Sequence, residues 1–408
     1  MLDLALKHIA AAVPVLVELE TKLCTYPALS PESGGEGEWD KCEFLQAWLA
    51  AKGISRLERH DAPDARAKHG LRPNLVATIP GASDSKRLWI MSHLDVVPPG
   101  DPAMWKSDPW VVEQRDGKLI GRGVEDNQQG LTSSVLAALA LVENKIVPPH
   151  TVKLLFVADE EMGSEYGIQW LLANRDLFRA DDMVVIPDGG DERGSTIEVA
   201  EKNLLWLRIL TKGVQCHGSR PDLGANAHLA AAELAVRLHD ELPLAFPARD
   251  ALFEPDRSTF EPTKSEANVP NVNTIPGDDA FCMDMRILPC YPVKDVLAVI
   301  ERIMAEVAAK RGVAMKHETL QRVESKATAP DAPLVGFLSR AVKAVYGVDT
   351  RPVGIGGGTV GAFLRNRGID SVVWGRLAES AHQPNEFALI ENIVGDAKVM
   401  ATLMLEKR

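Results

Sequence analysis

The chain has 408 residues, 46% hydrophobic and 25% charged, a balance that can bury a large core and excludes wholesale disorder, a collagenous chain or low-complexity sequence. Its 57 acidic side chains outnumber 45 Lys and Arg, for a net charge of −12. With no basic run, that balance argues against nucleic acid as a partner, because such binding draws on Lys and Arg neutralising phosphate.

Residues 1–22 carry an apolar stretch at 9–17, but Asp3 precedes it, Glu18 and Glu20 follow it, and no small-residue cleavage pattern ends it. It reads as a surface helix. Residues 26–37, rich in Pro, Ser and Gly, read as a loop before a helix at 38–52. Strand-like runs recur at 74–79, 87–91, 151–158 and 183–187, with helical patterns at 130–144 and 166–175. That alternation predicts an α/β architecture, a mixed, largely parallel sheet flanked by helices. The rhythm changes at 197–211, where alternating strands begin. A helix at 227–242, strands at 271–275 and 281–287, a helix at 293–310 and a strand at 313–320 follow. This β-α-β-β-α-β order fits an inserted two-layer α+β module. A helix at 332–346, a glycine cluster at 354–358 and a strand at 371–374 return the chain to the larger sheet. The expected organisation is a discontinuous catalytic domain, 1–203 and 323–408, carrying an insertion at 204–322.

No stretch approaches the ~20 consecutive apolar residues of a membrane span. Five cysteines without a C-x-x-C pair disfavour both a disulfide framework and a thiolate metal site, and read as reduced thiols in a cytoplasmic protein.

Ligands on open α/β sheets bind beyond the carboxyl ends of the strands, and polar residues gather at those ends here. The run 87–91 leads into Ser92-His93-Leu94-Asp95; two residues apart in an extended chain, His93 and Asp95 share a side, which suits a metal-ligating imidazole backed by a carboxylate. In Gly121-Arg122-Gly123-Val124-Glu125-Asp126-Asn127, Asp126 falls just before a helix. It is either an ordinary N-cap or a carboxylate bridging two cations. Asp159-Glu160-Glu161 crowds three acids after a strand, a repulsion that cations would remove. Asp188 ends another apolar run, and His382 lies in the polar loop Ala381-His382-Gln383-Pro384-Asn385-Glu386. Imidazole and carboxylate without thiolate match Zn²⁺ best, with Mn²⁺ or Co²⁺ also suitable.

In this order, S-H-L-D, G-R-G-x-x-D, D-E-E-x-G-S, a strand-terminal Asp and H-x-P-N-E resemble the co-catalytic zinc peptidase and deacylase family. That family includes acetylornithine deacetylase, succinyl-diaminopimelate desuccinylase, aminoacylase and glutamate carboxypeptidases. The resemblance covers essentially the whole chain. It implies two divalent metal ions bridged by Asp126, with His93 and Asp188 completing one set of protein ligands and Glu161 and His382 the other. It implies Asp95 orienting His93, Glu160 as general base, and a cis peptide between Asp126 and Asn127. In the insertion, His217 matches a G-x-x-x-H-x-S-x-P loop whose histidine reaches the partner subunit's active site in relatives. Asn273 and Arg286 match lid residues that contact substrate, and Gly357, Gly358 and Thr359 match a loop for the substrate carboxylate. The chain departs from the related pattern G-R-G-x-x-D-M-K-G-G at Asn127, Gln128 and Gln129, and from G-G-T-D at Val360.

The expectation is a metal-dependent hydrolase of amide bonds in small N-acyl amino acids or short peptides, a homodimer through the inserted domain, with no nucleic-acid or membrane partner. A dipeptidase or carboxypeptidase is the nearest alternative. A catalytically silent binding protein is the alternative of another class.

Overall fold

The computed structural model describes residues 1–407. The N-terminal stretch forms two helices rather than one, Leu2–Ala11 and Val13–Cys24. Pro14 is the reason, since it lacks the N–H that a continuous helix needs but is tolerated in a first turn. The helix Trp39–Ala51 follows, burying Cys42, Leu45 and Leu49 on one face.

Two compact units emerge. The first comprises Met1–Val199, Thr328–Pro352 and the chain from Phe363 onward. Its centre is an eight-stranded mixed sheet in the order Leu57–Pro63, Leu71–Ile79, His150–Val157, Ser83–His93, Met183–Ile186, Asp370–Val373, Thr196–Glu201, Arg351–Ile355. The third to sixth strands run parallel to their neighbours within that group. Antiparallel pairs flank them. Helices cover the parallel strands, so Arg87 to His93 are buried without interruption, the continuous run expected of such strands. The helix Gln128–Glu143 is buried from Gln128 to Leu141, with the helix Ile390–Met404 packed along it. The parallel strands therefore end together. His93 is the last residue of one, Asp159 to Glu161 follow another, Asp188 lies just past Ile186, and His382 is in the loop after Asp370–Val373.

The second unit comprises Ala200–Ala327 and Val353–Ala362. Its antiparallel sheet runs Thr259–Ser265, Asp278–Ile287, Asn203–Lys212, Ala314–Val323. Leu205, Leu207 and Ile209 alternate inward against Leu234 and Leu238 of the helix Ala227–Ala245 and Ile300 and Ile303 of the helix Val293–Arg311. Trp206 and Arg208 lie between them on the other face. The β-α-β-β-α-β order holds, but its second strand is Thr259–Ser265 and not the expected 271–275. Pro262 hides this strand in the sequence, yet the strand lies at the sheet edge with a register shift beside Pro262, where a missing donor is tolerated. Of 271–275, only Thr274–Ile275 pairs, with Cys216–His217.

All five cysteines are free thiols. Among the described residues, no helix is long and apolar enough to cross a membrane.

Candidate metal centre

Asp126 is not the cap of the helix that follows it. The N-cap of the helix Gln128–Glu143 is Asn127, one residue on, and the Asp126 carboxylate faces two imidazoles. Its Oδ1 lies 2.9 Å from His93 Nε2 and its Oδ2 lies 3.0 Å from His382 Nε2. Asp188 Oδ1 is 3.5 Å from His93 Nε2, and Glu161 Oε2 is 3.1 Å from His382 Nε2. The structure thus gathers two triads, His93–Asp126–Asp188 and Asp126–Glu161–His382, with candidate ligand atoms within 4.8 Å of one another in each. Asp126 belongs to both.

The electrostatics follow from this crowding. Burial works against charge on His93, but Asp188 and Asp126 outweigh it and push the imidazole well above the usual histidine range. Hydrogen bonds to Asp126 and Glu161 push His382 up to about 10. Burial opposes ionisation of Asp126 too, yet His382 and His93 hold its carboxyl well below the ordinary range. Glu161 and Asp188 are raised, first by burial. The raised proton affinity of both imidazoles answers the negative charge of the carboxylates around them. Divalent ions placed between these same atoms would supply the positive charge instead, so the donor set fits two of them.

Glu160, beside Glu161, has a side chain that hydrogen bonds to no other described residue, and burial followed by the charge of Asp188 raises its carboxyl well above the ordinary range. Asp95 accepts the main-chain N–H groups of Glu160 and Glu161, both at 3.0 Å, and so fixes the turn that carries them. His93 Nδ1 is 3.0 Å from the Asp95 carbonyl oxygen and 3.5 Å from its carboxylate. The ring is held mainly by the main chain of Asp95.

Three further residues, given no role from the sequence, touch the segments that carry these side chains. Buried Glu386 accepts the N–H groups of Gly123, Glu125 and Asp126 and the Arg122 guanidinium. Glu125 in turn accepts Ser380 N–H and hydroxyl at 2.5 and 2.7 Å, two residues before His382. Asn127 touches both His93 and Asp188. The Asp126–Asn127 peptide is cis. His382 itself has φ of 61°, the left-handed region that a non-glycine residue adopts only when its surroundings impose it.

The remaining candidates lie in the second unit. His217 pairs with Thr274, and Gly218 N–H donates to the Asn273 carbonyl at 2.7 Å, so the structure brings His217 and Asn273 onto neighbouring backbones. Ser219 N–H donates to His217 Nδ1 at 3.1 Å. A main-chain N–H always carries its hydrogen, so in the neutral ring the proton sits on Nε2, leaving that nitrogen a donor. Arg286 is committed within its own unit: Nε and Nη2 to Asp284 at 2.7 and 3.0 Å, and Nη1 to the Gly356 carbonyl at 2.7 Å. It anchors the glycine loop. Gly357 and Gly358 stand open, and the Thr359 hydroxyl donates to Glu201.

Residues 89–406 match the sequence profile of peptidase family M20/M25/M40. An uncharacterized metallohydrolase of Methanocaldococcus jannaschii is 38% identical over 406 residues, covering 95% of this chain and 98% of its own. A succinyl-diaminopimelate desuccinylase of Cereibacter sphaeroides is 28% identical over 378 residues, covering 91% and 93% respectively. Among solved structures, a tripeptidase of Staphylococcus aureus superposes with a TM-score of 0.75 at 17% identity, over 96% of this chain and 97% of that one. At that identity the likeness establishes the fold alone.

Proposed function

The chain belongs to peptidase family M20/M25/M40, and from that membership together with the placement of Asp126 we propose a divalent-metal-dependent hydrolase of amide bonds in small N-acyl amino acids or short peptides. The observation that carries this reading is one carboxylate offering a separate oxygen to each of two His-carboxylate sets. His93, Asp126 and Asp188 would hold one ion, and Asp126, Glu161 and His382 the other. Zn²⁺ suits the mixture of imidazole and carboxylate best, and Mn²⁺ or Co²⁺ would also bind.

Bound there, the ions would supply an acidified water near neutral pH and polarise the scissile carbonyl. Glu160 would take a proton from the attacking water as its oxygen adds to the carbonyl carbon, and return it to the nitrogen as the C–N bond breaks. A carboxylate that hydrogen bonds to no other described residue is free for both halves of that task. Asp95 keeps Glu160 in place through the N–H of its own residue. His217 of the partner subunit would direct its Nε2–H at the developing oxyanion, an interaction of about 2.7–4 kcal/mol where single donors have been removed. Dimerisation is supported by the helix Ala227–Ala245, which leaves Leu229, Ala232 and Val236 exposed along one stripe.

Deacylation is the favoured branch, since the relative at 28% identity is named as a desuccinylase. The free thiols support a reducing, cytoplasmic setting. The test is a panel of N-acetyl- and N-succinyl-amino acids and dipeptides, assayed before and after chelation, with metal content measured alongside. Loss of turnover on metal removal and recovery with Zn²⁺, Mn²⁺ or Co²⁺ is expected. Turnover that persists in protein verified as metal-free would refute the proposal.

A further inference from the structure

Asn127 occupies the N-cap of the helix Gln128–Glu143 yet makes no side-chain capping bond, although Asn is among the best capping residues. All three of its amide contacts run away from the helix. Oδ1 accepts the main-chain N–H of His93 at 3.3 Å. Nδ2 donates to the Pro187 carbonyl at 2.6 Å and to Asp188 Oδ1 at 2.7 Å. The first two contacts fix which way the amide faces, because a main-chain N–H must meet its oxygen and a main-chain carbonyl its nitrogen. Asn127 is 1% exposed, so water does not compete.

We propose that Asn127 is a positioning residue that holds His93 and Asp188 together as one metal-binding pair, and that it acts on that ion rather than on the one held by Glu161 and His382. The inference rests on the metal-dependent reading above and adds a residue to it. Its chemistry explains the departure from the related sequence pattern. Asp188 stands in the field of Asp126 and Glu160 and needs a donor that brings no further negative charge. A neutral amide supplies it. Met, which the related pattern carries here, has no donor, and Asp would present an acceptor and one more charge.

Metal-free wild type, Asn127→Met and Asn127→Asp are titrated with Zn²⁺ against a chromophoric chelator, and with Co²⁺ while its visible absorption is followed. Circular dichroism and melting of the metal-free proteins report whether each variant folds. Wild type is expected to bind two ions. Asn127→Met should bind one of them about 10–100-fold more weakly, the usual effect of losing a residue that orients a ligand. The other ion should change little, and Asn127→Asp should be weaker still at the same step. Equal affinity of wild type and Asn127→Met for both ions overturns the role, as does equal weakening of both, which marks general damage. If Asn127→Met fails to fold, Asn127→Ser takes its place under the same criteria. Wild type that binds no ion overturns the metal-dependent reading itself, a result distinct from either.

Discussion

The Glu386 carboxylate accepts the main-chain N–H of Asp126 at 3.0 Å, across 260 residues of sequence. The exchange is reciprocal. Glu386 holds the loop bearing Asp126, and Glu125 of that loop holds the segment leading to His382. Two loops from distant parts of the chain, each bearing a proposed metal ligand, thus fix each other. Glu386→Ala leaves the buried Arg122 guanidinium without its partner and three N–H groups without an acceptor. Unfolding free energy measured in urea should fall by about 3–5 kcal/mol, the scale for removing one member of a buried pair. A fall below about 1 kcal/mol would show that water replaces the carboxylate and that the two loops do not depend on it.

Glu160→Gln keeps the size of the side chain and removes its basicity. Because the Glu160 carboxyl binds no other described residue, the variant should melt at or slightly above the wild-type temperature and retain its metal content. The rate constant kcat should drop by about 10²–10⁴-fold, the contribution of a positioned acid–base group. Wild-type kcat in metal-loaded Glu160→Gln would move the proton transfer to another residue.

Much of the site is legible because apolar runs stop at polar residues: Met91 leads to His93, Val157 to Glu161, and Ile186 to Asp188. A strand has to end where the sheet does, and residues placed there are delivered to one edge. Other features depend on contacts that spacing does not encode. Asp126 at a helix start reads equally as a cap until Asn127 is seen in that position. The parts played by Glu125 and Glu386 show only where the loops meet. The helix Ile390–Met404 carries Gly395, a residue that weakens a helical reading. A Cβ there would lie 2.1 Å from the Tyr346 hydroxyl oxygen, so packing dictates the glycine.

Two helical glycines should respond to alanine with opposite signs. A Cβ at Gly336, in the helix Pro333–Tyr346, meets only the flexible Arg340 side chain at 3.7 Å. Gly336→Ala should stabilise by about 0.4–1 kcal/mol by restricting the unfolded chain. A Cβ at Gly130 would lie 2.3 Å from the Pro187 carbonyl oxygen and 2.8 Å from its Cγ. Gly130→Ala therefore forces the helix start away from the strand end that bears Asp188, with an expected loss of about 1–3 kcal/mol. Parallel urea melts compare the pair. Stabilisation by both would mean that the helix start shifts freely, and would remove the rigidity assigned to the site.

Burial gives Glu20 a pH signature separate from the proposed metal ligands. Its carboxyl is pushed from an ordinary 4.5 up to about 8, chiefly by burial, against the pull of the Thr132 hydroxyl and Lys41. Below about pH 4.5 the folded and unfolded chains both hold this proton, and the group contributes nothing to pH dependence. Between there and about pH 8 the unfolded chain has released the proton while the folded chain keeps it, so stability falls as pH rises. Above about pH 8 both states are ionised and the penalty stays constant. Lys41, pulled by burial from 10.5 down to about 8, acts in the opposite sense only above that point, where its earlier deprotonation in the folded chain makes stability rise with pH. Glu20→Gln should therefore gain stability over wild type by an increment that grows from about pH 5 to about pH 8. Urea melts of both proteins, in the same metal-loaded state and at several pH values across that window, measure the increment. A difference that stays flat would mean that Glu20 titrates as it does in the unfolded chain, and that its burial costs the folded state nothing at neutral pH.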